Sequence, residues 1–289
     1  MKRKQKSAKT KKFITNSLVH ILLAVLAVVW LFPIFWVIMT SFRTDPGSYV
    51  STFFPKGYTL ANYAKLFNDT TVLNFPQMFK NTFIIAIFSC LISSFMVLSV
   101  SYCMSRLRFR FRKPFMNIAM ILTLFPAFMS MVAVYYILKA LGLSEGAMIR
   151  VALVMVYSGG AGLGFYVAKG FFDTIPKALD EAAFLDGATK WQVFTKITVP
   201  LSKPIIVYTV LTAFMAPWTD FIFAKVICRA ESQYYTVAIG LWKMLEKEYI
   251  NSWYTSFAAG AVLISIPIAA VFLLTQRFYA DGMSGAVKG

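Results

Sequence analysis

Apolar residues in this chain come in long runs with polar stretches between them. The runs cover 13–42, 81–104, 116–138, 151–168, 205–218 and 256–274. Crossing the hydrocarbon core of a bilayer as a helix takes roughly 20 apolar residues. The pattern therefore predicts an all-α integral membrane protein with six transmembrane helices. Pro33 is placed to kink the first of these, and Pro126 and Pro267 lie inside two others. The first run is too long for the apolar core of a signal peptide, about 7–15 residues, so it reads as an uncleaved span. Between the first two runs, DPG at Asp45 and PKG at Pro55 mark turns. YTLANYAKLF, from Tyr58 to Phe67, reads as a short extracellular helix with Leu60, Tyr63, Ala64 and Phe67 on one side.

One polar stretch has a helical pattern of its own: PKALDEAAFLDGATKWQVFTKITVPLSKP, Pro176 to Pro204. Pro176 can start a helix, because its missing N–H is not needed there. Ala178, Leu179, Ala182, Ala183 and Leu185 then form an apolar stripe, with Asp180, Glu181 and Asp186 around it. Gly187 can end this helix in a left-handed turn. Trp191, Phe194, Thr195 and Ile197 predict a second short helix, limited by Pro200. Two short helices with a bend cannot bury their own stripe. Such an element rests on lipid as an interfacial pair or docks in a groove of another protein.

Composition agrees with the spans. The 289 residues are 58% hydrophobic, against about 45–50% in a soluble protein, and the mean hydropathy is +0.66. The net charge of +17 would suggest nucleic acid in a soluble chain. Here the basic residues sit beside the apolar runs and set topology instead. Lys2, Arg3, Lys4, Lys6, Lys9, Lys11 and Lys12 make a basic arm, expected to be disordered. Arg106, Arg108, Arg110, Arg112 and Lys113 fill the next inner loop, with Phe109 and Phe111 as interfacial anchors. Lys169, Lys177, Lys190, Lys196 and Lys203 lie in or beside the 176–204 loop. Placing these three segments in the cytoplasm puts both termini there too. The organisation is then a basic arm over 1–12, a transmembrane domain over 13–277 and a tail over 278–289, with no separate soluble domain.

Candidate chemistry is sparse. Cys90, Cys103 and Cys228 are odd in number and irregular in spacing, so neither a disulfide framework nor a metal site follows. His20 sits alone in an apolar run. No GxxxxGK[ST], HExxH, paired-Cys or GxSxG pattern occurs, so neither a catalytic centre nor a bound cofactor is expected. Gly159-Gly160-Ala161-Gly162-Leu163-Gly164 echoes a nucleotide loop, but no strand precedes it and no Lys-Ser/Thr follows. In a span such a cluster allows close helix approach or local unwinding. Asp220 falls at or within the bilayer, where a charge costs about 2.5–3.5 kcal/mol on insertion scales. It is expected to face a wet cavity or to pair with a base such as Lys225. A self-contained secondary transporter would show ion-path carboxylates and internal repeats; only Asp220 qualifies, and no repeat is visible.

The string EAAFLDGATKWQVF with PLSKP resembles the EAA loop of ABC importer membrane subunits. SFRTDP, FFPKGYTLANY, SYCMSRLRFRFR, LFPAFMSMVAVYYI, PWTDFIFA, YYTVAIGLWKM and QRFYADGMSGAVKG extend the likeness over nearly the whole chain after the basic arm. They are similar to the MalG-type permease subunit of maltose/maltodextrin ABC importers. The resemblance implies the type I importer permease fold, with the 176–204 loop as a cytoplasmic coupling helix. It implies a related second permease subunit, two cytoplasmic ATPase subunits that use the ATP, and an extracellular sugar-binding protein. Carried over residue by residue, Glu181 would pair with a base on the ATPase. Ala182 and Ala183 would pack closely there, and Asp186 and Gly187 would form the bend. Ser284 to Gly289 would also reach the ATPase. Tyr157, Trp218 and Asp220 are the expected lining of the sugar pathway. The same class admits raffinose-type, galacto-oligosaccharide, multiple-sugar or glycerol-phosphate substrates.

Overall fold

The computed structural model describes the backbone at 2–49, 52–124, 126–161 and 164–286; side chains at 2–13, 127–128, 160–161 and 279–286 fall outside the description. Its helices are α1 (Lys2–Ser41), α2 (Ala61–Asn68), α3 (Phe75–Arg106), α4 (Arg112–Thr123), α5 (Ala127–Ala140), α6 (Met148–Ala161) and α7 (Phe165–Thr174). They continue as α8 (Lys177–Leu185), α9 (Lys190–Val193), α10 (Val199–Leu201), α11 (Lys203–Thr219), α12 (Ile222–Cys228), α13 (Val237–Met244) and α14 (Ile250–Ala286). Among the described residues there is no strand, only an isolated bridge between Arg43 and Tyr58.

Among the described residues three helices are long and apolar enough to cross a bilayer: 14–41 of α1, all of α3, and 250–278 of α14. Lys190–Leu201 and α11 pass that test together as a fourth, but meet at an 82° bend. The expected third and fourth runs are each interrupted. α4 stops at Thr123, and Pro126 stands extended (φ −57°, ψ 127°) ahead of α5; a proline ring clashes with the turn before it. α6 and α7 are separated within the glycine cluster, whose residues 162–163 lie outside the description. α1 passes through Pro33 and runs back to Lys2, so the basic arm is helical where disorder was expected. α14 passes through Pro267 and carries the tail as helix to Ala286.

The contacts divide the chain into two units. The first joins residues up to Leu66 with Met244–Val262. Its centre is Asn62, whose amide donates to the Ser41 and Arg43 carbonyls (3.0 and 2.7 Å) while its oxygen accepts from Thr255 Oγ1 (2.8 Å). These bonds explain why α2 buries Asn62 with Leu66 and leaves Leu60 and Phe67 exposed, unlike the apolar face expected from spacing. Thr59 Oγ1 accepts from the Ala61 amide at the start of the helix. Lys65 donates to the Ser252 carbonyl and lies over the Trp253 ring. α1 leaves its apolar side chains open, Trp30 being 78% exposed. Such a surface belongs in lipid or against another apolar helix.

The second unit, Phe67–Lys243 with Leu263–Gly289, is built around α3, which packs on α6, α7 and α11. Its buried face includes Ile85, Ala86, Ser89, Ser93 and Val97. Ser89 satisfies its hydroxyl on the Ile85 carbonyl, and Thr82 on that of Met78. Small and self-satisfied side chains let neighbouring helices approach closely without orphaned polar groups. At the end of α3, Val97, Tyr102, Ala168, Phe172, Ile175 and Ile205 form one apolar cluster. This cluster is the platform under the 176–204 loop.

Candidate functional site

The loop begins at Pro176, which is extended (φ −57°, ψ 128°) and stands just outside α8. α8 ends as its sequence requires. Gly187 adopts φ +79°, the Ala188 amide donates to the Ala183 carbonyl and the Gly187 amide to that of Phe184. That pair of bonds is a Schellman cap, which needs a residue tolerant of positive φ. Thr189 and Gln192 then form a reciprocal capping box at the start of α9. The second helix does not stop at Pro200 as expected. A π-helical turn over Phe194–Thr198 precedes α10, and Pro200 sits inside α10. Pro200 has no N–H for the usual i−4 bond, and the wider turn shifts the register around it.

The apolar stripe of α8 stays largely open, as expected of an element that cannot bury it, but one residue corrects the sequence reading: α8 turns Asp180 inward, with 8% exposure. Leu185 is 89% exposed, and Leu179, Phe184 and Trp191 are also open. Glu181, Ala182, Asp186 and Gly187 are exposed, and Ala183 is half-buried. A groove of about 380 Å³ beside the bend is lined by Asp186, Gly187, Ala188, Gln192, Lys196 and Ile197. Apolar side chains exposed on a capped knuckle and rimmed by charge mark a surface for a protein partner or for the lipid interface.

Three residues on one face of the last turns of α3 hold the loop and the end of α7 that leads into it. The Tyr102 hydroxyl donates to the Lys190 carbonyl (3.3 Å) and that of Ser105 to Asp173 Oδ1 (2.6 Å). Arg106 Nη2 donates to the Phe172 and Ile175 carbonyls (2.9 and 2.8 Å). Arg106 Nε lies 3.4 Å from Asp180 Oδ2, the two side chains being 4% and 11% exposed. Sequence reasoning placed Arg106 among topology-setting charges and Asp180 on the polar face of α8. The available signal was an Arg at the membrane edge and an Asp one position before EAA. Asp173 Oδ2 also takes a 2.6 Å bond from Lys169 Nζ. Partial burial works against its charge, but the hydrogen bonds from Lys169 and Ser105 outweigh it and hold the carboxyl below its ordinary range.

Of the pathway candidates, Tyr157 and Asp220 come together. The Tyr157 hydroxyl donates to Asp220 Oδ2 at 2.8 Å. Asp220 also caps α12, accepting from the Phe223 and Ala224 amides. Lys225, named as a possible partner, instead donates to the Tyr235 hydroxyl. Trp218 is 1% exposed and packs edge-on against Phe79 and Phe83 and tilted against Phe214. Among the described residues no cluster of ligating side chains could hold a metal ion.

Residues 97–285 match the family described as binding-protein-dependent transport system inner membrane component. The chain is 32% identical to the galactooligosaccharides transport system permease protein GanQ of Bacillus subtilis (strain 168), covering 97% of this chain and 98% of that protein. It is 29% identical to the maltodextrin transport system permease protein MdxG of the same strain, over 98% of this chain and all of that one. Among solved structures it resembles a chain of a bacterial ABC transporter involved in the import of the acidic polysaccharide alginate. The TM-score is 0.71 at 22% identity, covering 92% of this chain and 96% of that chain.

Proposed function

This chain belongs to the family of binding-protein-dependent transport system inner membrane components, and from that premise we propose that it is one of two permease subunits of an ATP-driven importer of maltose or maltodextrins. The observation that carries the reading is α8: a capped helix, tied to a membrane span through Arg106, with its apolar side facing out. In this reading Glu181 pairs with a base on a cytoplasmic ATPase subunit, Ala182 and Ala183 seat closely in its cleft, and Asp186 and Gly187 hold the bend. ATP is bound and used by two copies of that ATPase, and an extracellular binding protein presents the sugar. Closure of the ATPase pair moves the docked loops as rigid bodies, and the spans rock with them.

The protein spans the cell membrane six times with both termini cytoplasmic. α1, α3 and α14 are full crossings, and α4–α5, α6 with the start of α7 as far as Ala168, and α11 complete the set, the first two as interrupted helices. Interrupted helices inside a bundle expose backbone groups to a pathway without exposing them to lipid. Tyr157 and Asp220 line that pathway, with Trp218 packed behind as its wall. A second reading of the substrate has its own support, the full-length similarity to a galactooligosaccharide permease.

The test is uptake by cells lacking this subunit, offered maltotriose, a galacto-oligosaccharide, raffinose and glycerol phosphate. Loss of maltotriose uptake alone supports the first reading, and loss of galacto-oligosaccharide uptake alone supports the second. Unchanged uptake of all four sinks both.

A further inference from the structure

We propose that Arg106 and Asp180 are the positioning pair that transmits movement of the docked loop into span α3; this rests on the permease reading above. The pair sits at the junction of three elements. Arg106 is the last residue of α3, and Asp180 lies in the first turn of α8. The two carbonyls that Arg106 holds, Phe172 and Ile175, are at the end of α7 and in the link to α8. One guanidinium therefore fastens the membrane span to both sides of the corner from which the knuckle projects.

The neighbouring contacts do not duplicate this joint. Tyr102 reaches α9 by a 3.3 Å bond, and Ser105 reaches α7. Only Arg106 reaches α8 from α3 by an ion pair among the described residues. The apolar stripe of α8 does not serve in its place, because it points mainly outward, with only Ala183 half-buried. Without the pair, α8 would be connected to α3 through backbone and could swing when pushed.

The pair also has unused bonding capacity. Arg106 Nε and Nη1 and Asp180 Oδ1 are buried and make no hydrogen bond in this structure. An arginine and a carboxylate can form two parallel bonds, so a small shift of α8 toward α3 could convert the single 3.4 Å approach into a two-pronged one. Glu181, the next residue, lies about 100° further round the helix and is exposed. α8 is thus gripped inside by Asp180 and outside by Glu181, and a push on one is delivered to the other.

The test uses the complete importer, this chain with its co-purifying permease, ATPase and binding-protein partners, in proteoliposomes. Maltotriose and a galacto-oligosaccharide are the probes, and the readout is ATP hydrolysed per sugar taken up. Two variants are compared. Asp180→Asn removes one charge; Arg106→Met with Asp180→Leu removes both, so no unpaired charge is left buried. Both are expected to assemble and hydrolyse ATP, with the ratio raised tenfold or more. Asp180→Glu, which keeps a carboxylate, should recover the ratio to within threefold of wild type. A wild-type ratio in the double variant overturns the proposal. So does failure of the double variant to assemble, or a parallel fall in hydrolysis and uptake, since either assigns the pair to folding alone. If the wild-type complex takes up neither probe with ATP, the permease reading itself fails, and the joint with it.

Discussion

The Tyr157 hydroxyl, on α6, donates to the Asp220 carboxylate at the end of α11, across 2.8 Å. The same carboxylate accepts two amides at the start of α12. One side chain thus ties three helices where the fifth apolar run ends. Tyr157→Phe removes one hydrogen bond, worth about 1 kcal/mol. Asp220→Ala removes all three, including a helix-capping interaction worth roughly 0.5–2 kcal/mol by itself. Thermal melting in detergent should therefore show a clearly larger drop for Asp220→Ala, with Asp220→Asn between the two. Equal melting points for Asp220→Ala and wild type would remove the tie.

Glu181→Lys is expected to separate stability from function. Glu181 is exposed, and surface substitutions away from special features change stability by about 0.5 kcal/mol or less. The variant should insert and melt like wild type. Sugar-stimulated ATP hydrolysis and uptake should no longer run together, because the substitution reverses the charge proposed to pair with a base on the ATPase. Normal coupled uptake in the reconstituted complex would argue against the role of this residue.

Gly187 offers a cleaner backbone test. Its φ is +79°, and a Cβ there would meet no atom within 4 Å, so any penalty comes from the backbone and not from crowding. An L-residue in the left-handed region costs roughly 1–2 kcal/mol, and Asn tolerates it better than most. Gly187→Val should fray the end of α8 and reduce co-purification of the ATPase. Gly187→Asn should largely retain it. Identical co-purification for the two variants would mean that the bend does not set docking.

The long features were legible in the sequence because they rest on one-dimensional signals. Apolar runs give α1, α3, α11 and α14, and the Pro–EAA–Gly pattern gives α8 almost to the residue. Gly187 was identifiable because few residues other than glycine favour its turn. What escaped depends on which side of a helix is buried. Asp180 reads as one more polar-face residue of α8, yet it occupies the inner side because Arg106 waits there, while the stripe of Ala178, Leu179 and Leu185 stays open. Asn62 on α2 escaped for the same reason: its partners, Ser41, Arg43 and Thr255, are remote in sequence. The π-helical turn before Pro200 arises from a missing amide and local register, which a hydrophobic pattern does not record.

Asp173 gives a pH prediction with a definite sign. Its carboxyl is held below the ordinary value by hydrogen bonds from Lys169 and Ser105, despite the opposing effect of partial burial. A carboxylate whose pKa is lower in the folded state favours folding above its unfolded value, about 3.9, and loses that contribution as pH falls through the folded value. The Asp173 side chain is 44% exposed, so solvent and salt screen the interaction and the effect is modest. Asp173→Asn should therefore melt below wild type at pH 7, and the gap should narrow as salt is raised. It should close as the pH is lowered below 4, where the wild-type carboxyl takes up its proton. The comparison requires melting curves of both proteins in the same detergent at pH 7, 5, 4 and 3. A gap that stayed constant to pH 3 would mean that Asp173 acts by shape and hydrogen bonding, with no contribution from its charge.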